Sequence, residues 1–435
     1  MLVMRGFLPA KLVKTLPENI SFTIMIKLLH LADLHLGVEN YGRTDPETGL
    51  HTRLLDYLAR LDEAIDLALS EGVHAVLIAG DIYKNRTPNP THQREFARRI
   101  RRLRAANLPV FILVGNHDIS PAAGRANSVE IFHTLEIEGV VVASRTATIR
   151  VETEAGPFQI IALPWVTRHN LLTKDDLRQA SIREVDALLL ERVDRFLQQA
   201  VADRDPHLPT VLAIHGSIHG ATTGAEQQMM LDRDLVLPRS VVSMPGIDYV
   251  ALGHIHRHQS LGEHPPIIYP GSIERVDFGE EQEDKGCVIV ELEQGQARWK
   301  FHKLAARPFV TIEVDVRQSA SAQMRVLQAI EKHKLNDAVV RVRVQALAEQ
   351  SPELRVDDIR SQLETAGAFV IAAIAIDIER TGRNRLGTEG GELLEGITPR
   401  KALELYLRNK TPTLSEARIS ALLAAADELL SEVNG

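Results

Sequence analysis

The chain has 435 residues, of which 44% are hydrophobic and 25% are charged, so it can form one large core and still carry smaller domains. Its formal net charge of -8 excludes a uniformly basic surface, and nucleic-acid binding would need local basic patches or bound metal ions. The single cysteine, Cys287, excludes internal disulfides and multi-cysteine zinc sites, and predicts a reducing cytoplasm as the location. No apolar run approaches the roughly 18 residues of a membrane span, so we expect none.

Residues 25–305 alternate short apolar runs of strand type with longer helical patterns. The predicted strands are 26–31, 74–79, 109–114, 157–162, 209–214, 247–252, 286–293 and 297–303. The predicted helices are 51–70, 90–106 and 184–202. This alternation predicts one layered α/β domain. Residues 1–24 mix Lys, Pro and Glu with short apolar pieces, and we expect a disordered N-terminal extension, with an upstream start site as the alternative.

The same alternation restarts on a smaller scale after Pro308. Strands near 309–316, 338–346 and 368–378, with helices near 319–333 and 355–366, predict a small α/β domain over 306–379. The polar, glycine-rich segment 380–396 is typical of a linker. Two amphipathic helices are predicted within 397–435, the first with Thr398 as N-cap and Pro399 as its first residue. The second helix carries an apolar stripe of Ile419, Leu422, Leu423, Ala426 and Leu430.

Side chains typical of metal ligands follow five of the predicted strands directly. They are Asp33 and His35, Asp81, Asn116 and His117 with Asp118, His215, and His254 with His256. Because ligands bind beyond the carboxyl ends of the strands in open α/β sheets, residues far apart in the sequence can converge at one rim. The i, i+2 spacing within Asp33/His35 and His254/His256 keeps both side chains on one side of an extended backbone.

The ligand types indicate two metal ions. Carboxylates, imidazoles and one amide oxygen, without thiolate, suit divalent ions such as manganese, iron or zinc. Seven ligands are too many for one ion and fit two ions about 3.5–4 Å apart that share a carboxylate and act on a phosphate. His117 then remains as a general acid, with Asp118 placed to orient it. Each motif alone is weak, since an Asp at a strand end is usually a turn residue or a helix cap, but the full set argues against a purely structural explanation.

The set DLH, GD, GNHD, H and GHIH resembles the calcineurin-like metallophosphoesterase superfamily over roughly residues 26–305. The ADLHLG opening, the stretch YPGSIERVDFGEE at 269–281, the small domain and the helical tail resemble, within it, the nuclease subunit of SbcCD-type complexes. The resemblance implies a layered β-sandwich flanked by helices, a small α/β capping domain and a C-terminal helical pair. It also implies manganese-dependent hydrolysis of DNA, as a double-strand exonuclease and a single-strand or hairpin endonuclease.

The resemblance also implies roles for individual residues. One metal ion would be held by Asp33, His35, Asp81 and His256. The other would be held by Asp81, Asn116, His215 and His254, with Asp81 bridging. His117 would contact the scissile phosphate and protonate or stabilise the leaving oxygen. Lys84 departs from the pattern, because some relatives have a His three residues after the bridging Asp. We expect metal binding to survive and Lys84 to be able to contact a phosphate, but the balance of exonuclease and endonuclease activity does not carry over.

Two further regions could bind partners. Arg94, Arg98 and Arg102 share a face of helix 90–106, and a DNA-backbone patch and an ordinary solvated surface are equally good interpretations. Aromatic residues make up only 4% of the chain, which argues against a stacking platform for single strands. The resemblance implies that residues 397–435 bind an SbcC-type coiled-coil ABC ATPase and that the protein is a homodimer. Docking of the tail on the chain's own small domain is the alternative.

Three functions therefore compete. The first is a DNA nuclease that works with an ATPase. The second is a small-molecule phosphatase or cyclic-nucleotide phosphodiesterase on the same scaffold, which the additional domain and tail disfavour. The third is a non-catalytic scaffold for DNA or ATPase, which the complete ligand set and His117 disfavour.

Overall fold

The computed structural model describes residues 25–120, 125–167, 182–224, 234–379, 399–408 and 415–433. The predicted N-terminal extension 1–24, the linker 380–396 and Thr398 lie outside the described residues. The chain divides into two compact units. The first contains the described residues up to Val310 together with Asp337–Val339, and the second contains Thr311–Asn336 and the described residues from Val340 onward.

The first unit is built on fourteen described strands and five described helices. In chain order, the strands are β1 (Ile26–Leu31), β2 (Ala75–Ile78), β3 (Val110–Leu113), β4 (Val140–Ala143), β5 (Ala147–Val151), β6 (Phe158–Leu163), β7 (Thr210–His215), β8 (Ser217–Ile218), β9 (Val236–Leu237), β10 (Tyr249–Gly253), β11 (Gln259–Glu263), β12 (Pro266–Tyr269), β13 (Gly286–Glu293) and β14 (Gln296–Lys303). The helices are α1 (Thr52–Glu71), α2 (Pro90–Ala105), α3 (Glu130–Thr134), α4 (Ile182–Asp203) and α5 (Arg239–Val242).

Twelve of these strands form two six-stranded sheets, with orders β14-β13-β1-β2-β3-β4 and β11-β12-β10-β7-β6-β5. The strands β1 to β4 run parallel to one another, as do β6, β7, β10 and β12. Successive side chains of a strand point to opposite faces, so each sheet contributes to two layers of core. Leu28 and Phe111 of one sheet cluster with Val211 and Ala251 of the other.

The outer faces of both sheets are covered by helices. Leu29 and Ile78 belong to a buried cluster with α1 and α2, and Leu212 belongs to one with Val193 and Leu197 of α4. The result is the layered α/β domain that the sequence predicts, in the form of the helix-flanked β-sandwich that the resemblance implies. The helix ends follow local chemistry, since the Asn89 side chain accepts the Thr91 N–H at 2.7 Å where α2 begins. Gly72, in the left-handed region at φ 63°, ends α1.

A buried polar link joins the two sheets below the ends of β1 and β10. Nδ1 of His30 lies 2.9 Å from the Tyr249 hydroxyl, and Nε2 lies 3.1 Å from the Leu252 carbonyl oxygen. Because a carbonyl can only accept, Nε2 carries the proton and Nδ1 accepts the hydroxyl hydrogen. Burial lowers the pKa of His30 to about 3, so the imidazole is neutral. This link fixes the two strands from which four of the predicted ligands follow.

The second unit contains a three-stranded sheet, two helices that follow strands of this sheet, and the two helices of the tail. Its strands, β15 (Phe309–Asp315), β16 (Val339–Leu347) and β17 (Val370–Glu379), lie in the order β15-β16-β17. The helices are α6 (Ala322–Glu331) and α7 (Val356–Thr365), which bury Val326, Ile330, Ile359 and Leu363. Every second residue of β16 from Val340 to Ala346 is buried, as expected for a sheet covered on one face.

The two helices of the tail are α8 (Pro399–Arg408) and α9 (Glu416–Val433). Arg400 donates to Asp427 at 2.7 Å, which joins one helix to the other. Within the predicted stripe, Ile419 is buried, Leu423 and Ala426 are half-buried, and Leu422 is 39% exposed. Among the described residues, no helix combines the length and apolar character that crossing a membrane requires.

The pH dependence of stability should report the buried His30. Its pKa in the folded state is about 3, below the value of 6.5 in an unfolded chain. Between these two pH values, His30 is protonated in the unfolded chain but neutral in the folded chain. The free energy of unfolding therefore decreases as the pH falls from 6.5 toward 3. At pH 5 the loss is about 2 kcal/mol, since each pKa unit corresponds to about 1.4 kcal/mol.

We expect the difference in unfolding free energy between pH 7 and pH 5 to be about 2 kcal/mol smaller in His30→Gln than in the wild type. Urea unfolding in the presence of a chelator measures it, and the other histidines are common to both proteins. Equal pH dependence in the two proteins would contradict the assignment of a neutral His30.

Candidate metal centre

Each predicted ligand motif lies at the carboxyl end of a strand in one of the two sheets. Asp33 and His35 follow β1, Asp81 follows β2, Asn116 and His117 follow β3, His215 ends β7, and His254 and His256 follow β10. The loops from the first sheet are joined by hydrogen bonds from Asp33 N to Gly80 O at 3.1 Å and from His35 N to Asp81 O at 3.0 Å. The His254 N–H donates to the Asp33 carboxylate at 2.9 Å, which joins the loops of the two sheets.

Four of the seven predicted metal ligands have left-handed backbone conformations. The φ angles are 52° at Asp33, 43° at His35, 54° at Asp81 and 102° at His254. Such conformations cost about 1 to 3 kcal/mol each in residues other than glycine and cluster at functional sites. The strain lies here because each loop must turn sharply at a strand end to direct its side chain to the shared rim.

Two glycines beside these ligands have no room for a side chain. A Cβ on Gly115 would overlap the carboxylate and backbone nitrogen of Asp81, and one on Gly80 would overlap the imidazole of His215. Gly80 also has a φ of 95°. The glycines in the GD and GNHD motifs are therefore required by close approach of backbone to ligand side chains.

The donor atoms form three groups, two of which contain Asp81. The ligand atoms lie within 4.8 Å of one another in each of three groups: Asp33, His35 and His256; His35, Asp81 and His117; and Asp81, His215 and His254. Oδ2 of Asp81 lies 3.7 Å from Nε2 of His35 and 3.4 Å from Nε2 of His215. Nε2 of His35 lies 2.9 Å from Nε2 of His256. Asp81 is thus common to both sides of the site, as a bridging ligand would be.

Asn116 lies on the side of the site that contains His215 and His254. Its Oδ1 atom lies 2.9 Å from Nε2 of His215 and 3.1 Å from Nδ1 of His254. Donors bound about 2.1 Å from one ion at tetrahedral or octahedral angles lie about 3.0 to 3.5 Å from one another. The observed separations agree with that spacing.

Three histidines each have one ring nitrogen that points away from the site, here called the outer nitrogen. The hydrogen bonds of these nitrogens show whether the site can accept a cation. Nδ1 of His215 faces the Ala79 carbonyl at 2.7 Å, Nε2 of His254 faces Asp234 at 2.8 Å, and Nδ1 of His256 faces Glu280 at 2.6 Å. Each outer nitrogen therefore donates to an oxygen, and each inner nitrogen of a neutral ring presents a lone pair to the site. Lone pairs of imidazoles, carboxylates and an amide oxygen converge, so a positive charge must lie among them, and the donor set fits divalent metal ions.

The pKa shifts of Asp81 and His215 also indicate that the site requires a positive charge. Burial by itself raises the pKa of Asp81, but the facing His215 and then His35 lower this pKa well below its usual range. Burial lowers the pKa of His215, but the Asp81 carboxylate outweighs this effect and raises the pKa to about 9. The buried carboxylate is ionised and attracts cations.

His117 lies beside Asp81, with one ring nitrogen already engaged. Its backbone N–H donates to Oδ1 of Asp81 at 2.8 Å, and its Nδ1 donates to the Lys84 carbonyl at 2.6 Å. The ring lies edge-on to His35, with centroids 4.9 Å apart. Nε2 is therefore the nitrogen available to a substrate.

Asp118 does not orient His117, which corrects the role suggested by the sequence. Its buried carboxylate accepts the Gly115 N–H at 3.0 Å, the Ile82 N–H at 3.2 Å and the Ser128 hydroxyl at 3.0 Å. These bonds tie the GNHD turn to the Asp81 loop. The backbone carbonyl of Lys84 takes the orienting role instead, and Asp118 positions both ligand loops.

The arginines predicted to contact DNA are paired with carboxylates. Arg94 and Arg98 contact Glu95 at 2.9 and 2.7 Å, and Arg102 contacts Asp66 and, at 3.6 Å, Asp62 of α1. The three side chains are 40 to 57% exposed. Exposed pairs leave the charges accessible, but they reduce the net positive potential of the helix. DNA contacts by these arginines and by Lys84 remain predictions.

Four residues near the ligands did not stand out in the sequence. Glu280 and Asp234 orient His256 and His254, Lys285 pairs with Glu280 at 2.8 Å, and Trp165 packs on His254. Glu280 is part of the YPGSIERVDFGEE stretch, and Trp165 follows the end of β6. These positions in the sequence could have indicated that both residues lie near the site. Asp234 and Lys285 have no local pattern that points to the site.

Comparison with known proteins gives the family. The model of the calcineurin-like phosphoesterase family matches residues 26–258, which is more than half of the chain. The chain belongs to the calcineurin-like phosphoesterase family. The match covers all five ligand motifs, so the resemblance seen in them is confirmed at the level of the family.

Three curated relatives illustrate the likeness. The chain is 25% identical over 300 residues to the uncharacterized metallophosphoesterase YhaO of Bacillus subtilis, covering 68% of this chain and 64% of the relative. It is 25% identical over 280 residues to the SbcCD nuclease subunit of Escherichia coli, covering 62% and 66%. It is 24% identical over 370 residues to the DNA double-strand break repair protein Mre11 of Archaeoglobus fulgidus, covering 78% and 76%. The match thus spans slightly under two thirds of the length of the first two relatives.

The outer carboxylate Glu280 should control metal affinity. Oε1 accepts from His256, and Oε2 accepts from Lys285 Nζ at 2.8 Å and from the Val276 N–H at 2.9 Å. In Glu280→Gln, the amide NH2 must face either a protonated Lys285 or Nδ1 of His256, and the second arrangement moves the imidazole proton to the ligand nitrogen.

We therefore expect Glu280→Gln to weaken manganese binding about 10- to 100-fold, measured as free Mn²⁺ by electron paramagnetic resonance. The matched control is Glu263→Gln, which removes the same charge from an exposed position on β11. Equal affinities in the two variants would refute the orienting role.

Proposed function

We propose that this chain is a manganese-dependent DNA nuclease that hydrolyses phosphodiester bonds, as a double-strand exonuclease and a single-strand or hairpin endonuclease. The observation that carries the proposal is the ionised Asp81 carboxylate between the ligand nitrogens of His35 and His215, with His117 beside it. Two relatives named as an SbcCD nuclease subunit and as a double-strand break repair protein support DNA as the substrate.

The residues divide the work as follows. One position is assigned to Asp33, His35, Asp81 and His256, and the other to Asp81, Asn116, His215 and His254. Two divalent ions, when bound, would supply a hydroxide nucleophile and offset the charge of the phosphate. With Nδ1 of His117 donating to the Lys84 carbonyl, the imidazolium form of this side chain would give its Nε2 proton to the leaving oxygen. Metal identity, homodimer formation and a cytoplasmic location are parts of the same proposal.

His117 and Asp81 should separate catalysis from metal binding. His117→Ala should abolish hydrolysis and retain two ions, because this side chain is not needed as a ligand, whereas Asp81→Ala should lose metal as well as activity. The measurements are metal content after dialysis and manganese-dependent release of nucleotides from linear double-stranded DNA, with bis-p-nitrophenyl phosphate as a small diester.

Equal metal loss in both variants would refute the division of roles. Hydrolysis of the small diester by the wild type without cleavage of any DNA would favour the alternative, a small-molecule or cyclic-nucleotide phosphodiesterase. Activity of the His117→Ala variant equal to the wild type would remove His117 from the mechanism.

We also propose that residues 397–435 bind an SbcC-type coiled-coil ABC ATPase. The tail exposes Tyr406 at 52% and Leu422 at 39%, apolar surfaces of the kind that a helix presents to a partner groove. A coiled-coil fragment of such an ATPase should bind the full chain, and binding should fall at least tenfold in Leu422→Glu. Arg418→Glu, at another exposed position of α9, is the matched control. Binding that survives deletion of residues 397–435 would reject the tail as the site.

A further inference from the structure

Trp165 lies at the rim of the metal centre without a role in the proposed chemistry. It follows Pro164 at the carboxyl end of β6, which pairs in parallel with β7, the strand that ends at His215. Its backbone N–H donates to the Val114 carbonyl at 3.1 Å. Since Val114 directly precedes the GNHD turn, the Trp165 backbone is fixed beside the loop that carries Asn116 and His117.

The indole ring lies against two predicted ligands. Its centroid is 4.9 Å from that of His254, with the planes inclined by 43°, and 6.1 Å from that of His215, with the planes at 69°. The indole can neither bind a metal ion nor exchange a proton at neutral pH. Trp165 is only partly buried, whereas His215 beside it is 1% exposed. Part of this aromatic residue thus remains accessible next to a polar site.

We propose that Trp165 stacks on the nucleobase next to the scissile phosphate and is a specificity-determining residue for nucleotide substrates. The inference rests on the proposed function and deepens it, because it assigns the site to diesters that carry a base. A phosphate held among the ligands leaves its sugar and base to extend from the site, and the indole offers the flat apolar face that a base requires. Stacking accepts any base, which suits a nuclease without sequence preference.

Packing is the competing role for this side chain, since an apolar ring against His254 could simply hold the imidazole in place. Trp165→Leu separates the two roles, because leucine keeps an apolar cover over His254 but has no aromatic face. Trp165→Phe keeps a smaller aromatic face and should restore most of the function that leucine loses.

The first test compares base-bearing DNA with DNA that carries a tetrahydrofuran abasic nucleotide on one side or the other of the terminal phosphodiester. Stacking on one base is worth roughly 1 to 3 kcal/mol, or about 5- to 150-fold. We expect the wild type to prefer the base-bearing substrate by that factor in kcat/KM for one of the two sides. The ratio should fall to about one in Trp165→Leu and largely return in Trp165→Phe.

The same ratio of kcat/KM values in the wild type and in Trp165→Leu would overturn the proposal. Loss of bound manganese in Trp165→Leu would also overturn it, because that result would identify Trp165 as a packing residue. Failure of the wild type to cleave either DNA would instead overturn the proposed nuclease function. A binding test that needs no hydrolysis then decides the stacking inference.

The chain has only two tryptophans, so Trp299→Phe leaves Trp165 as the sole indole fluorophore. With manganese present, dAMP should quench the emission of Trp299→Phe, whereas deoxyribose 5-phosphate, which lacks the base, should not. The emission of Trp165→Phe, which reports on Trp299, should not change with either compound. Equal quenching of Trp299→Phe by both compounds, or by neither, would contradict stacking.

Discussion

The structure depends on one buried carboxylate, that of Asp81. This group is 2% exposed and ionised, and burying an isolated charge destabilises a protein by several kcal/mol. The fold offsets this cost with the His117 N–H, the imidazoles of His35 and His215, and the cations that these groups attract. No single sheet supplies these partners, because His35 and His117 follow strands of one sheet and His215 ends a strand of the other.

The convergence of two sheets at one rim explains why unfavourable backbone conformations occur at the ligand loops. Left-handed backbone at Asp33 and Asp81 directs carboxylates across the gap between the sheets, and Gly115 leaves the space into which Asp81 points. Below the rim, neutral His30 links β1 to β10, so the spacing of the two strand ends is set by hydrogen bonds as well as by packing. The strain at the loops is sustained by this rigid support.

The sequence predicts the parts of this arrangement that leave a local pattern. Runs rich in apolar residues, such as 26–31 and 286–293, predict central strands with correct limits. The strands Val140–Ala143, Ala147–Val151 and Gln259–Glu263 were missed because they are short and only partly buried. The ligand motifs are visible because they interrupt such runs. The hydrogen-bond partners of Asp118 cannot be predicted from the sequence. Tertiary structure determines that its carboxylate accepts from the Ile82 and Gly115 amides and not from His117. The same holds for Glu280, which reaches His256 across 24 residues.

The distribution of charge links metal binding to substrate binding. The net charge is -8, and Arg94, Arg98 and Arg102 of α2 are paired with Glu95 or with carboxylates of α1, so these three side chains add little positive potential at long range. Divalent ions held among the ligands would supply positive potential at the site, and the ionised Asp81, Glu280 and the outer carboxylate of Asp234 all favour them. On the proposed function, a phosphodiester is attracted chiefly to these ions, and the indole of Trp165, which packs on His254, is the proposed contact for the base. The two proposals together place recognition and chemistry at one rim of two sheets.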